Sequence, residues 1–412
     1  MSTSPYHLFH GYGVELEYML VDKDTLQVKH LADDLLKYEL GEIGSDFENG
    51  MITWSNELVL HVIELKSTHP ESDLEALEKA FTRNISRINT ILDEWNAMLM
   101  PSAAHPFMDP FKETKLWPHD NNEVYELYNK IFDCSGHGWS NLQSTHLNLP
   151  FSGDEEFAKL HAAVRIILPL LPALCASSPI LDEKLSGMLD TRLLYYKTNQ
   201  AKIPSITGSV IPEAVFSYHE YQNKIYSQIE KDIAPYNEEN ILEPVWVNSR
   251  GAIARFDRGS IEIRIMDVQE CPAADLSIVN VVVELLKALV NEKFCSLQDQ
   301  MKIDTNVLAT LFDKVIVSGR QTVIDEKPYL AAFGISSPIT VKDLWKHILT
   351  IVPADTIYDQ RWQSIIHTIL DKGCLSERVI NAMHHDHSAD QIKTIYKELS
   401  KCLAENRMFA HK

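Results

Sequence analysis

The sequence has only six cysteines in 412 residues, and no two of them form a Cys-x-x-Cys pair. They are spread along the chain as Cys134, Cys175, Cys271, Cys295, Cys374 and Cys402. Disulfide-stapled secreted scaffolds and zinc ribbons both need paired or clustered cysteines, so the spacing argues against both classes. We therefore expect reduced thiols and a cytoplasmic protein.

Long unbroken apolar runs and an excess of positive charge are also missing. Three prolines interrupt the apolar stretch 164–180, and a Glu and a Lys interrupt the stretch 276–290. A membrane helix needs about 20 mainly apolar residues, so we expect two buried helices and no membrane partner. The first residues predict no signal peptide, because they lack a basic start and an apolar run. The net charge of -20 argues against nucleic acid as a partner.

The glycine-rich loops that commonly bind phosphate are absent as well. No Gly-x-x-x-x-Gly-Lys-Ser/Thr sequence occurs, and no glycine-rich turn joins a predicted strand to a helix in the Rossmann manner. These absences exclude a P-loop enzyme and a standard dinucleotide-binding domain. An acidic chain can still bind a nucleotide, provided that metal ions and a few arginines meet the phosphates locally.

The stretch 254–267 alternates polar and apolar residues. Its three alternating isoleucines predict a β-strand with one face in a core. Glu262 and Arg264 are two residues apart, so they lie together on the other face. Arg255 and Arg258 precede this pair. The alternative interpretation is a solvated edge strand whose charges have no function.

Residues 12–22 also alternate and predict a strand with Glu15 and Glu17 on one face. A second strand region contains Glu57 and Glu64. Their seven-residue separation puts these two carboxylates on opposite faces of one regular strand. A bulge or two adjacent strands would be needed for both to reach one site.

Residues 142–150 predict another strand, on which Ser144, His146 and Asn148 share a face. A lone histidine on a strand is commonly structural. Here its polar neighbours lie in phase with it, so a metal-ligand function is an equal alternative.

The remaining pattern is mainly helical. Apolar residues at helical spacing predict a long core helix after Pro70 and another over residues 157–174. We predict an α+β fold with a catalytic domain over residues 1–295 and a helical region, residues 296–412, packed on it. The His-His-Asp-His run at residues 384–387 could bind a metal, but adjacent histidines at a helix end are commonly solvated.

The predicted strands together present six potential metal ligands: Glu15, Glu17, Glu57, Glu64, His146 and Glu262. Carboxylates that meet at short range cannot all stay ionised without positive charge nearby. Mg²⁺ or Mn²⁺ suits such a set, because hard divalent cations prefer oxygen ligands. Arginines beside the site suit a polyphosphate, because guanidinium groups match phosphate oxygens. The residues alone therefore suggest metal-assisted phosphoryl transfer from a nucleotide.

Five short motifs occur in a recognisable series. They are Gly13-Val-Glu-Leu-Glu17, Glu57 with Val62-Ile-Glu64, Ala104-His-Pro-Phe107, Thr145-His-Leu-Asn148 and Gly259-Ser-Ile-Glu-Ile-Arg-Ile-Met-Asp267. In this order the chain resembles the type 2 glutamate–cysteine ligase and carboxylate–amine ligase family, over roughly residues 9–290. Because that family belongs to the glutamine synthetase-like superfamily, the resemblance implies an antiparallel sheet lined by carboxylates, with helices packed behind it.

The resemblance also implies a reaction and a set of functional residues. ATP would convert a substrate carboxylate into an acyl phosphate, and an amine would then form an amide, with glutamate and cysteine as the default substrates. The six ligands named above would hold two or three Mg²⁺ ions, and catalysis would involve Arg264, Glu262 and Glu64. ATP would be bound by Arg255, Arg258, Arg264 and Asn148. The substrates would contact Arg192 and His105.

Two other functions are open at this level. A phosphotransferase of the same superfold, similar to guanidino kinases, would phosphorylate a nitrogen without forming an amide. A non-catalytic metal- or ligand-binding protein could retain the fold. Asn148 keeps that alternative open, because family members often have a second histidine at this position. The oligomeric state is open too, a homo-oligomer included.

Overall fold

The computed structural model describes residues 5–120, 122–352 and 360–410. The strands, in chain order, are β1 (Gly13–Asp22), β2 (Asp46–Asn49), β3 (Ile52–Asn56), β4 (Val62–Ser67), β5 (Ala97–Met100), β6 (Ser144–Pro150), β7 (Ile180–Leu181), β8 (Lys184–Leu185), β9 (Ala252–Arg255), β10 (Ser260–Asp267), β11 (Val323–Ile324) and β12 (Ile339–Thr340). Within these described residues, eight strands form one antiparallel sheet, and the other four form two small two-stranded sheets.

The large sheet has the strand order β2-β3-β4-β1-β6-β10-β9, and β5 pairs with the end of β1. Strand β1 is central, because β4 pairs with one of its edges while β6 and β5 pair with successive parts of the other. Its alternate residues Val14, Leu16, Tyr18 and Leu20 are fully buried in the main hydrophobic core. The intervening residues point to the opposite face of the sheet.

The helices, in chain order, are α1 (Ala32–Leu40), α2 (Leu74–Asp93), α3 (Pro110–Glu113), α4 (Asn122–Phe132), α5 (His137–Ser140), α6 (Gly153–Ile167), α7 (Pro172–Cys175), α8 (Thr191–Thr198), α9 (Tyr218–Tyr221), α10 (Ser227–Ile233), α11 (Pro244–Val247), α12 (Pro272–Val290), α13 (Leu297–Met301), α14 (Thr305–Ser318), α15 (Lys327–Ala331), α16 (Val341–Ile351), α17 (Gln360–Lys372), α18 (Leu375–Met383) and α19 (Ala389–Ala404). Together with the sheet they confirm the predicted α+β class.

Helices α2, α6 and α12 form the layer whose apolar side chains share the main core with the sheet. Helix α2 begins where Asp73 accepts a hydrogen bond from the backbone N–H of Ala76 at 2.9 Å, which satisfies one of the unpaired donors of its first turn. Helix α12 is buried along nearly its whole length, as its apolar sequence predicts. In the described part of the chain no helix combines the length and apolarity needed to cross a membrane.

Helices α14 to α17 contribute to the same hydrophobic core as the sheet, whereas α18 and most of α19 pack in a second cluster with Met19 and Val21 of β1. The buried Glu78 of α2 links the region after residue 295 to the helix layer that covers the sheet. Its carboxylate accepts hydrogen bonds from Trp362 Nε1 at 2.6 Å and Asn406 Nδ2 at 2.7 Å, and it forms an ion pair with Arg361. The boundary between residues 1–295 and 296–412 stays a prediction, because one core runs across it.

The structure differs from the predicted continuous helix over residues 157–174. Helix α6 ends at Ile167, a 3₁₀ turn follows at Leu168–Leu170, and α7 begins at Pro172. Prolines end the regular helix because they lack a backbone N–H and their rings clash with the preceding turn. The predicted strand region around Glu57 and Glu64 is two strands, β3 and β4, which is one of the arrangements that would allow both carboxylates to reach one site.

The buried Asp275 of α12 makes stability depend on pH. Its Oδ1 accepts hydrogen bonds from Thr145 Oγ1 at 2.6 Å and from the Gln269 N–H at 3.0 Å, yet burial raises the pKa of Asp275 to about 8. The folded protein therefore binds more protons than the unfolded chain between about pH 4 and 8. Stability should fall as pH rises through this window.

We predict that Asp275→Asn makes this slope shallower, because the amide keeps an acceptor oxygen and cannot ionise. Urea unfolding at pH 5 and pH 8 should show a loss of stability in the variant that is smaller than the wild-type loss by a few kcal/mol. The exposed Asp34→Asn on α1 serves as the control and should keep the wild-type slope. An unchanged slope in Asp275→Asn would contradict this assignment.

Candidate active site

Four neighbouring strands, β4, β1, β6 and β10, bring the predicted polar residues together. Glu17 of β1 lies opposite Glu64 of β4, and Glu15 lies opposite His146 of β6. Residues that face each other across an antiparallel pair lie on the same side of the sheet. The pairing also places Glu262 of β10 opposite Asn148, so the polar face continues across all four strands.

This face forms the floor of an open cavity of about 560 Å³. Its lining includes the acids Glu15, Glu57, Glu64 and Glu262, the cations Lys66, Arg255, Arg258 and Arg264, and the polar residues His146 and Asn148. Glu17 lies beside the same floor and is connected to it by hydrogen bonds through Ser144 and His146. The structure thus assembles in one place all six of the predicted metal ligands.

His146 lies at the centre of the hydrogen-bond network. Its Nδ1 is 3.0 Å from Glu15 Oε2, and its Nε2 is 2.8 Å from Ser144 Oγ. Ser144 donates both its backbone N–H and its hydroxyl to Glu17 Oε2, at 2.7 and 3.0 Å. Because the serine hydroxyl donates its proton to Glu17, it can only accept from His146. Both ring nitrogens therefore donate, which is the pattern of a protonated imidazole.

The charges around this histidine reinforce that arrangement. Burial favours neutral imidazole, but the hydrogen bond to Glu15 and the charges of Glu17 and Glu15 outweigh it and raise the pKa of His146. Burial also opposes ionisation of Glu15, but the hydrogen bond and charge of His146 lower the pKa of Glu15 to about 2. In the absence of a metal ion, the imidazolium acts as an internal cation among the carboxylates.

One histidine does not neutralise the remaining carboxylates. Burial, followed by the charge of Glu17, raises the pKa of Glu57 to about 7. Burial and the charges of Glu15 and Glu57 raise the pKa of Glu64 well above its usual range. Both shifts arise first from burial and then from the neighbouring carboxylates, and a bound cation would oppose both causes.

The donor set fits a divalent cation. In the described part of the chain, two groups of three residues each offer ligand atoms that all lie within 4.8 Å of one another: Glu15, His146 and Glu262, and Glu17, Glu64 and His146. Five of the six predicted ligands supply carboxylate oxygens, which Mg²⁺ and Mn²⁺ prefer. The two groups share His146, so metal binding would require the imidazole to lose a proton.

Three arginines line the β9–β10 end of the cavity. Arg264 Nε lies 3.1 Å from Glu262 Oε1. Arg255 contacts the carboxylate of Asp257 through Nε at 3.1 Å and Nη2 at 2.9 Å. Arg258 is largely exposed, and its Nε is 3.9 Å from Asp257. These guanidinium groups could contact the oxygens of a polyphosphate beside the acidic floor.

Comparison with known proteins identifies the family. The sequence profile of glutamate–cysteine ligase family 2 matches residues 12–315, about three quarters of the chain. The chain belongs to glutamate–cysteine ligase family 2. Membership supports the coarse assignment of a carboxylate–amine ligase.

Relatives and solved structures agree with this membership. An uncharacterized protein of Archaeoglobus fulgidus is 30% identical over 400 residues, covering 96% of this chain and 99% of the relative. A Ruegeria pomeroyi protein named "Putative glutamate–cysteine ligase 2" is 24% identical over 259 residues, covering 62% of this chain and 60% of the relative. The crystal structure of Francisella tularensis glutamate–cysteine ligase in complex with AMP covers 97% of this chain and 90% of its own, with a TM-score of 0.59 and 12% identity. At 12% identity, the similarity to the Francisella tularensis enzyme shows a shared fold.

Arg192, for which the resemblance implied a substrate contact, is not among the residues that line the carboxylate cavity. It is only 2% exposed, and its Nε donates to Asp267 Oδ1 at 2.5 Å. Asp267 is itself fully buried at the end of β10, after a bulge between Ile263 and Met266. A buried carboxylate needs a paired cation, and Arg192 supplies it to Asp267 in a buried ion pair; its contact with substrate stays a prediction.

His105, the other residue for which the resemblance implied a substrate contact, is also absent from the lining of the carboxylate cavity, and that contact stays a prediction. Its Nε2 is 2.7 Å from the carbonyl oxygen of Leu26, and its Nδ1 accepts the backbone N–H groups of Phe107 and Met108 at 3.0 Å each. Both ring nitrogens are therefore used by the backbone, and the residue is 1% exposed. This histidine holds a turn and does not line the carboxylate cavity.

Lys66 is a cavity residue that the sequence analysis missed. It follows Glu64 by two positions on β4, and its Nζ lies 3.5 Å from Glu64 Oε2 and 3.1 Å from Asp46 Oδ1. The Glu-x-Lys alternation was the available signal, since it places both side chains on one face of a strand. By contrast, residues 384–387 are exposed and belong to neither group of potential metal ligands in the described chain.

The protonated state of His146 leads to a direct test in metal-free protein. Glu15→Gln removes the anionic acceptor of Nδ1–H, so the pKa of His146 should fall, by about one unit or more. NMR titration of the histidine ring signals would measure the change. The exposed His387 provides an internal control that should not move. An unaltered pKa for His146 in Glu15→Gln would be inconsistent with the network described.

Proposed function

We propose that this member of glutamate–cysteine ligase family 2 is an ATP- and Mg²⁺-dependent carboxylate–amine ligase. The observation that carries the proposal is the convergence of five carboxylates, His146 and Arg264 on one cavity floor. The AMP bound to the Francisella tularensis enzyme of similar fold supports a nucleotide as co-substrate. The family description supports glutamate as the acid and cysteine as the amine. Other acid and amine pairs are outcomes of the test below.

The proposed reaction has two steps. The terminal phosphoryl group of ATP passes to an oxygen of the substrate carboxylate, giving ADP and an acyl phosphate. The amine nitrogen then attacks the acyl carbon, phosphate leaves as the carbon–oxygen bond breaks, and the nitrogen loses a proton to give the amide. No protein nucleophile is required, so the residues of the site act by binding, orienting and balancing charge.

Each element of the cavity has a place in this scheme. The six ligands would hold Mg²⁺, which when bound supplies positive charge between the phosphate and the carboxylate. Glu64 and Glu262 would position that charge, and Arg264 would contact the phosphoryl group in transfer. Arg255 and Arg258 would contact the remaining phosphates. Asn148 donates its Nδ2–H to Glu15 Oε1 at 2.9 Å, so it orients a ligand and could also contact a phosphate.

We also propose which part of the chain carries the reaction and in which compartment the reaction occurs. Every residue assigned above precedes residue 295, so we propose that residues 1–295 carry catalysis and residues 296–412 support their core. All six cysteines lie in the described part of the chain and are free thiols. Free thiols are typical of a reducing compartment, which supports a cytoplasmic enzyme.

Phosphate release tests the reaction. With ATP and Mg²⁺, the wild type should release phosphate only when both an acid and an amine are present. Glu262→Gln and Arg264→Ala should each lower the rate by about 100-fold or more, because each removes a charge that acts in the transition state. A coupled ADP assay and detection of the amide by mass spectrometry would measure both products.

The matched controls are exposed residues outside the cavity, Glu230→Gln on α10 and Arg83→Ala on α2, which should keep wild-type rates. Normal ADP release by Glu262→Gln would refute the assigned site. Phosphorylation of the amine without amide formation would instead indicate a phosphotransferase. Nucleotide binding with no turnover for any acid and amine pair would indicate a non-catalytic binding protein.

Metal binding is testable without turnover. Mg²⁺ or Mn²⁺ should stabilise the folded protein, by about 2.7 kcal/mol at a hundredfold excess over Kd. Glu17→Gln should lose most of this gain, because Glu17 belongs to one of the two ligand groups. Thermal unfolding with increasing metal concentration would measure the gain, with Glu230→Gln as the control. Equal stabilisation of wild type and Glu17→Gln would argue against metal binding at this floor.

A further inference from the structure

The positive charges of the cavity lie at two separate ends. Arg255, Arg258 and Arg264 belong to the β9–β10 end, whereas Lys66 projects from β4. In the strand order β4-β1-β6-β10, three spacings separate the strands that carry these two groups. Neighbouring strands are about 4.8 Å apart, so β4 and β10 are on the order of 14 Å apart, and the side chain of Arg264 extends from β10 towards Glu262 on the floor. The carboxylate floor lies between the two ends.

Lys66 is only partly buried at the β4 end of the cavity. It faces Glu15 across the β1–β4 pair and shares the face of Glu64. Its Nζ is 3.1 Å from Asp46 and 3.5 Å from Glu64, and about a third of the side chain is exposed to the cavity. The ammonium is therefore positioned by two carboxylates but is still accessible to a ligand.

We propose that Lys66 binds the second, non-reacting anionic group of the acid substrate and thereby selects dicarboxylic acids over monocarboxylic acids. This inference rests on the proposed ligase function and assigns to it a specificity-determining residue. It also assigns an orientation: the nucleotide phosphates lie at the arginine end and the acid substrate at the lysine end.

The two ends differ in the ligand that each can hold. A triphosphate carries several negative charges and needs several cations with planar, forked donors, which the three arginines provide. A single ammonium suits one carboxylate. Same-face residues on a strand are about 6.8 Å apart, so Lys66 lies within one short aliphatic chain of Glu64. A dicarboxylate could place its reacting group at the floor and its other group at Lys66.

Cation binding at the floor would make Lys66 available. Glu64 belongs to one of the two potential metal-ligand groups and is also a partner of Lys66. A divalent cation on Glu64 would repel the neighbouring ammonium and take over its carboxylate partner. Lys66 would then lack one of its two carboxylate partners, Glu64. The acid substrate should consequently bind more tightly after the metal than before it.

The experiment compares two acids that differ by one carboxylate, L-glutamate and 4-aminobutanoate. Wild type should prefer glutamate by about tenfold or more, because the acid with one carboxylate loses a charge-assisted hydrogen bond. Lys66→Met should raise the KM for glutamate by a similar factor, leave the KM for ATP within about twofold, and remove the preference. Lys66→Arg should retain it. Isothermal titration of glutamate into enzyme, with Mg²⁺ and a non-hydrolysable ATP analogue present, provides a readout independent of turnover.

The controls separate this inference from the proposed function. Lys79→Met, exposed on α2, should behave as wild type in every assay. Normal binding of the Mg²⁺-nucleotide analogue together with unchanged glutamate affinity in Lys66→Met would overturn the inference alone. Equal loss of nucleotide and glutamate binding in that variant would also overturn it, since the effect would not be selective. Failure of the wild type to bind the Mg²⁺-nucleotide analogue would overturn the proposed function and this inference with it.

Discussion

Repulsion among carboxylates on one face of the sheet is the constraint on which the site depends. Glu15, Glu17, Glu57, Glu64 and Glu262 occupy neighbouring strands or their ends, and left to themselves they would move apart. The fold prevents this because the opposite face of the same strands is fully buried against helices. Moving the acids apart would require separating the strands and exposing that core to water.

The protein supplies part of the compensating charge itself. His146 lies between two acids as an imidazolium, Lys66 lies beside Glu64, and Arg264 lies beside Glu262. Burial, followed by the charge of Glu17, still raises the pKa of Glu57 to about 7. A site of this composition could hold divalent cations, and each one would replace protons and internal cations that balance the carboxylates.

Family membership and local geometry answer different questions. Membership of glutamate–cysteine ligase family 2 supports the class of reaction, while the positions of single side chains decide which acid and amine would fit. Arg192 and Lys66 illustrate this difference. Arg192, which the resemblance suggested, neutralises the buried Asp267. Lys66, which none of the five motifs contains, faces the cavity.

The sequence by itself determined which residues share a face of a strand, because side-chain direction follows from the period-two repeat of the backbone. That repeat alone is enough to place Glu15 with Glu17, and Glu262 with Arg264. Only the tertiary structure decided which strands are neighbours and that Glu57, just after β3, lines the same cavity as Glu64 of β4. It also decided that His105 and Arg192 make buried contacts within the protein. Strand neighbours and burial depend on contacts between residues far apart in the chain, which a local repeat does not encode.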